Sequence, residues 1–147
     1  MRYADELQAL AEHVGIVVRE ADPRAQPLPV TAAFARDEED DTACLRISGG
    51  TLGDRRELER LLRGEVARRA AVLYADVDLT APSDEAVTAL REQGFFLSGL
   101  LHAGPGGRDW LRLQRPQAPV EVDALALAGE RGQWLLERIL VDRREVE

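Results

Sequence analysis

The sequence predicts an α/β (α+β) domain in which short apolar strands alternate with amphipathic helices. Three observations carry this. Residues 31–48 and 95–115 each read as two β-rich runs around a turn. A helix with its own start and stop signals lies between the strand at 71–79 and the strand at 95–101. Elsewhere apolar residues recur at spacings of three and four, the period of a helix with one buried face.

At 147 residues the chain is long enough to bury a core and short enough for one domain. Residues 1–147 are therefore expected to form a single unit, with an N-terminal helix at 1–14 and a helical segment at 121–147. No apolar run has the length of a membrane span, and MRYADELQAL is polar and helical, so a cytoplasmic protein is expected. The lone cysteine, Cys44, has no internal partner for a disulfide. One cysteine and two histidines, far apart in sequence, lack the spacing of a metal site, so none is expected. The formal net charge is −8, and every cation other than histidine is an arginine. Such a balance repels a phosphate backbone, so nucleic acid is not an expected partner.

In chain order, Tyr3, Leu7, Leu10, Ala11 and Val14 line one face of a helix that stops at Gly15. GIVVRE reads as a short strand, and the three prolines of ADPRAQPLPV forbid a helix. Strands at about 31–36 and 42–48 flank the acidic tip Asp37–Asp41, read as a solvated turn that discourages edge pairing or as a cation site. Gly49, Gly50 and Gly53 then precede a helix expected from Asp54 to about Arg69. A glycine-rich turn before a helix N-terminus is an anion cradle, or simply a tight turn beside the competing charge of Asp54. Leu58, Leu61, Leu62, Val66 and Ala70 form the expected buried side of that helix, with arginines and glutamates interleaved as ion pairs on the other.

The strand AAVLYADVDL has uneven faces. Leu73, Ala75, Val77 and Leu79 point one way and Val72, Tyr74, Asp76 and Asp78 the other. If the chain carries a general base, Tyr74, Asp76 and Asp78 are the candidates, since alternation aims them at one face. The competing reading is a packed tyrosine and two carboxylates exposed at a strand end. Pro82 and Ser83 start the next helix, with Ser83 at the N-cap, Asp84 and Glu85 in the first turn, and Gly94 at the stop. Strand FFLSGLL, the glycine-rich turn HAGPGGRD with His102 facing solvent, and strand DWLRLQR follow. QAPV is a linker, 120–128 is apolar and ambiguous, and a final helix from about Glu130 presents Trp134, Leu135, Ile139 and Leu140. Trp110 and Trp134 are expected in the core or at a subunit contact.

The segment SDEAVTALREQGF resembles the pattern of the GNAT (N-acetyltransferase-like) family, carried by Ser83, Ala86, Ala89, Leu90, Gly94 and Phe95. GFFLSGLLHAGPGGRDWLRLQR is similar to a stretch of the GNAT-like domain appended to bacterial histidine-kinase-like (anti-sigma-factor-like) ATPases, and RYADELQALAEHVGI to the helix that follows the ATPase part. The resemblance implies a mixed, mostly antiparallel central sheet flanked by helices on both faces. It places TACLRIS, VLYADVDL, FFLSGLL and DWLRLQR as the fourth to seventh strands of that fold, with an acyl-CoA cleft between the first two. It implies cofactor contacts from Arg46, Gly49, Gly50 and Ser83. Thr51 departs from the family's pyrophosphate loop. Leu90 stands where active members carry the tyrosine that protonates the departing thiolate, and Ser83 where they carry a cofactor-contacting asparagine. The expected function is thus a GNAT-like module with a degraded acyl-CoA site that acts by binding. Its partner would be a small ligand, a second copy in a homodimer, or an ATPase-type regulator. The alternative is an active N-acyltransferase using acetyl-CoA or another acyl-CoA on a small cationic amine.

Overall fold

The computed structural model describes residues 2–15, 17, 34–48, 55–122 and 129–147. Helix α1 (Ala4–Val14) is followed by strands β1 (Ala35–Asp37) and β2 (Thr42–Ile47) and helices α2 (Arg55–Arg63) and α3 (Glu65–Arg69). Strand β3 (Val72–Asp78), helix α4 (Asp84–Glu92), strands β4 (Phe96–Leu101) and β5 (Trp110–Pro116), and helix α5 (Gly129–Arg144) complete it. Most of the expected GIVVRE strand, the proline-rich loop, Gly49, Gly50, Thr51, Gly53, Asp54 and residues 123–128 lie outside the described residues.

The strands form one sheet in the order β1-β2-β3-β5-β4. Among the described residues only β2 and β3 run parallel, and the other three pairings are antiparallel. The fold is therefore mixed α/β with a mostly antiparallel sheet, and the four segments assigned as strands by resemblance are β2 to β5. Register aligns Leu45, Ala75, Leu113 and Leu97 across one face. Tyr3, Leu7, Leu58, Ala67, Val87 and Leu90 pack into the same core as this face. The opposite face carries Cys44, Arg46, Tyr74, Asp76, Asp78, Trp110, Arg112 and Gln114, as two-residue alternation requires.

The turns follow local chemistry. Gly15 ends α1 at φ +72°, and Gly94 follows α4 at φ +82°. The Gly94 N–H bonds to the Arg91 carbonyl (2.9 Å) and the Phe95 N–H to Leu90 (3.1 Å), a Schellman stop that a side chain with a Cβ resists. At the acidic hairpin tip Asp37 accepts the Glu39 N–H (3.0 Å), and Arg36 pairs with Asp41 (3.2 Å).

Two expectations need correction. The helix from Asp54 to Arg69 is two helices, because Gly64 adopts an extended conformation (ψ 155°) that breaks the ladder. The break shifts the helical phase, so Ala67 is buried and Val66 is 39% exposed. Ser83 occupies the N-cap of α4, but its hydroxyl makes no capping bond; its carbonyl accepts the Val87 N–H (3.0 Å). The expected ion pairing of α2 and α3 is present: Arg55 with Glu59 and Glu92, Arg60 with Glu57, and Arg69 with Glu65.

Candidate functional site

The polar face of β3 gathers the candidate bases. Residues 74, 76 and 78 project to one side, and their neighbours on β2 and β5 share that side because the sheet is in register. Asp76 lies opposite Arg46 on β2 and Arg112 on β5, and Tyr74 lies opposite Cys44 and Gln114. Sequence alternation thus brought Tyr74, Asp76, Asp78 and Arg46 onto one surface. Ser83 is buried elsewhere, at the start of α4, and Gly49 and Gly50 lie outside the described residues.

Both carboxylates are buried rather than exposed at a strand end: Asp76 is 1% and Asp78 0% accessible. Asp76 receives a two-pronged bond from Arg112, Nε to Oδ1 at 2.7 Å and Nη2 to Oδ2 at 2.9 Å. This fork geometry is the strong form of the arginine–carboxylate pair. The same guanidinium lies over the Tyr74 ring, 4.8 Å from its centroid. The Cys44 thiol donates to Asp76 Oδ2 at 3.2 Å. Burial, and then the charge of Asp76 beside it, pushes the Cys44 pKa up to about 12, so the sulfur stays protonated at neutral pH.

Asp78 is held by a second arginine from the turn before β5. Arg108 Nη1 reaches Oδ2 at 2.6 Å, the Thr80 N–H and hydroxyl reach Oδ1 at 2.9 and 2.7 Å, and the Ser48 hydroxyl reaches Oδ2 at 3.4 Å. Burial alone would raise the Asp78 pKa. The Thr80 bonds and Arg108 outweigh it, and the net direction is downward. A carboxylate so stabilised in its charged form is a weak base. Alternation of DWLRLQR sets Arg112 on one face with Trp110 and Gln114, but sequence alone pairs neither Arg112 nor Arg108 with these carboxylates.

Where the resemblance seats an acyl-CoA, the strands do not part. β2 and β3 stay paired from Thr42↔Val72 to Ile47↔Val77, and the Ser48–Asp78 bond continues the junction past the last pair. A ligand arm inserted between the paired residues of these strands would have to break that ladder. Leu90 is wholly buried in the core, where it packs rather than reacts. Among the described residues no group of side chains is placed to hold a metal ion. No helix among them is long and apolar enough to cross a membrane.

A second polar cluster escaped the sequence reading. Asp142 of α5, buried, accepts the Tyr3 hydroxyl (2.7 Å) and the Leu97 N–H (2.6 Å), and Arg91 of α4 pairs with it. Arg91 also bonds the Tyr3 hydroxyl and reaches Glu145 at 3.1 Å. Burial, and then the bond to Asp142, raises the Tyr3 pKa far above its ordinary value. Periodicity marks α5 by its apolar residues, yet its one buried residue is this aspartate, with Trp134, Leu135, Leu136, Ile139 and Leu140 half-buried. Trp134 is only half-buried, whereas Trp110 is buried with its indole N–H on the Pro105 carbonyl at 3.1 Å.

No family model matches the chain. No curated protein is similar to it at a significant level. Among solved structures, the crystal structure of nourseothricin acetyltransferase is similar at TM-score 0.44 and 20% identity, over 58% of this chain and 55% of that one. The chain thus spans about half the length of that acetyltransferase. A likeness this distant transfers no chemistry.

Proposed function

We propose that the chain is a GNAT-like module that has given up acyl transfer and acts by binding, with a protein partner or a small ligand in place of acyl-CoA. The protein partner on this reading is a regulator of the histidine-kinase-like ATPase type or a second copy of the chain. The observation that supports it best is the continuous β2–β3 ladder through Ile47↔Val77, which leaves no opening for a pantetheine arm between the paired residues. The chemistry of the face agrees with it. Asp76 and Asp78 are engaged by arginines, Cys44 is held as a thiol, and Leu90 has no proton to donate. Isothermal titration of the full chain with acetyl-CoA is expected to give no binding heat. Micromolar affinity, together with thiol release in the presence of small cationic amines, would replace this reading with that of an active N-acyltransferase.

A further inference from the structure

We infer that the polar face of the sheet binds a small organic carboxylate, held between Arg46 and Arg112 with its body over Gly99. The inference names a ligand class for the small-ligand form of the reading above, and rests on it. In register, one row crosses the sheet as Arg46, Asp76, Arg112 and Gly99, from β2 through β3 and β5 to β4. Strands lie about 4.8 Å apart, so the two arginines leave the backbone about 10 Å apart with Asp76 between them. The Asp76 side chain is 1% exposed, that of Arg112 is 30% exposed, and Arg46 is an exposed residue. A ligand arriving on this row therefore meets guanidinium rather than carboxylate, and two cations there outnumber one anion.

The donors are uncommitted where the ligand would sit. Arg112 uses Nε and Nη2 on Asp76, and its Nη1 bonds no described residue. Arg46 has no hydrogen-bond or ion-pair partner among the described residues. A guanidinium edge takes a planar carboxylate through paired N–H bonds, the strong form of that contact. Gly99 supplies the room. It lies inside β4 without a side chain, and a methyl group on its Cα would meet nothing within 4 Å among the described residues. Glycine in a strand interior forgoes packing and marks a place where another group comes close. Leu101, half-buried, shares the face with Gly99 and offers an apolar wall, which suits an organic body rather than a bare inorganic ion. The sign of the ligand follows from the register. Acids spaced along β3 suit a cationic amine, but Arg112 and Arg108 neutralise both of them, so the face selects an anion.

Amide NMR titration of the full chain with benzoate, inorganic phosphate and benzylamine tests this. Benzoate should shift the amides of Arg46, Arg112 and Gly99 to saturation, and benzylamine should leave them in place. Arg46→Gln should weaken benzoate by about tenfold or more, the worth of a charge-assisted bond. Gly99→Val, for which there is open space, should weaken benzoate as much and leave any phosphate binding as it was. No benzoate shifts on this row, a preference for benzylamine, or benzoate binding indifferent to both variants would overturn the inference. Phosphate binding as tight as benzoate would overturn the organic body and leave a bare oxyanion site. Should Gly99→Val fail to fold, Gly99→Ala is titrated in its place. Benzoate silence in a chain that also ignores acetyl-CoA strikes this inference alone, whereas acetyl-CoA binding strikes the reading on which it rests.

Discussion

Asp76 and Asp78 face the same way from one strand, and each meets an arginine from the chain leading into or along β5. The sequence shows the acids on one face, because alternation is a local property. It does not show the pairing, which depends on β5 lying antiparallel to β3 in a register that sets Asp76 opposite Arg112. Arg112→Met leaves the carboxylate of Asp76 buried without its cation, which should cost about 3 kcal/mol in urea-induced unfolding at neutral pH. A loss below about 1 kcal/mol would mean that the pair is dispensable. The lowered pKa of Asp78 has a definite consequence for acid stability. Its contribution is complete above the unfolded-state value of about 4 and disappears as pH falls through the lower folded-state value. Asp78→Asn should therefore lower the urea midpoint at pH 7 and flatten its decline between pH 4 and pH 2. A decline as steep as in the wild type would assign acid sensitivity to other carboxylates.

At the level of elements, the stop of α4 was legible to the residue and the start was legible only in place. Gly94 takes a positive φ and closes a two-bond motif that glycine favours on steric grounds alone, so its role is written locally. Ser83 sits at the predicted cap and its hydroxyl makes no capping bond, and whether a cap position is used as a cap is not written in local sequence. The break at Gly64 was missed for a related reason. Glycine tolerates a helix interior at a cost of about 1 kcal/mol, so apolar spacing across it still reads as continuous. Gly94→Ala should destabilise the chain by about 1–2 kcal/mol from backbone strain, because the added Cβ meets nothing closer than Arg115 Nε at 4.0 Å. Thermal unfolding measures this, and an unchanged midpoint would remove the Schellman stop from the account.

Across the whole molecule, apolar pattern located the sheet and the side of it that is buried, since both follow from burial of Leu, Val and Ala at fixed periods. Pattern was silent on the cluster that fastens the outer helices. Periodicity ranks faces by apolar content, and an aspartate on a helix reads as solvent-facing until a tyrosine, an arginine and a strand amide converge on it. For the same reason, the candidate bases were found as residues and misjudged as environments. Exposure at a strand end was one reading, and burial beside arginines is what the register produces.

The bond from Tyr3 to Asp142 joins residues 139 apart in sequence. Closing so long a loop is entropically unrewarded until the sheet has set α1 and α5 side by side, so the bond belongs to the downhill side of the folding barrier. Tyr3→Phe should then accelerate unfolding by roughly fivefold, for a bond worth about 1 kcal/mol, and leave the refolding rate nearly unchanged in stopped-flow mixing. Slowed refolding with unaltered unfolding would put this contact in the nucleus instead. On this account, a phenol hydroxyl and its carboxylate contribute a factor of about five to the lifetime of the native state under forced unfolding or irreversible heat inactivation.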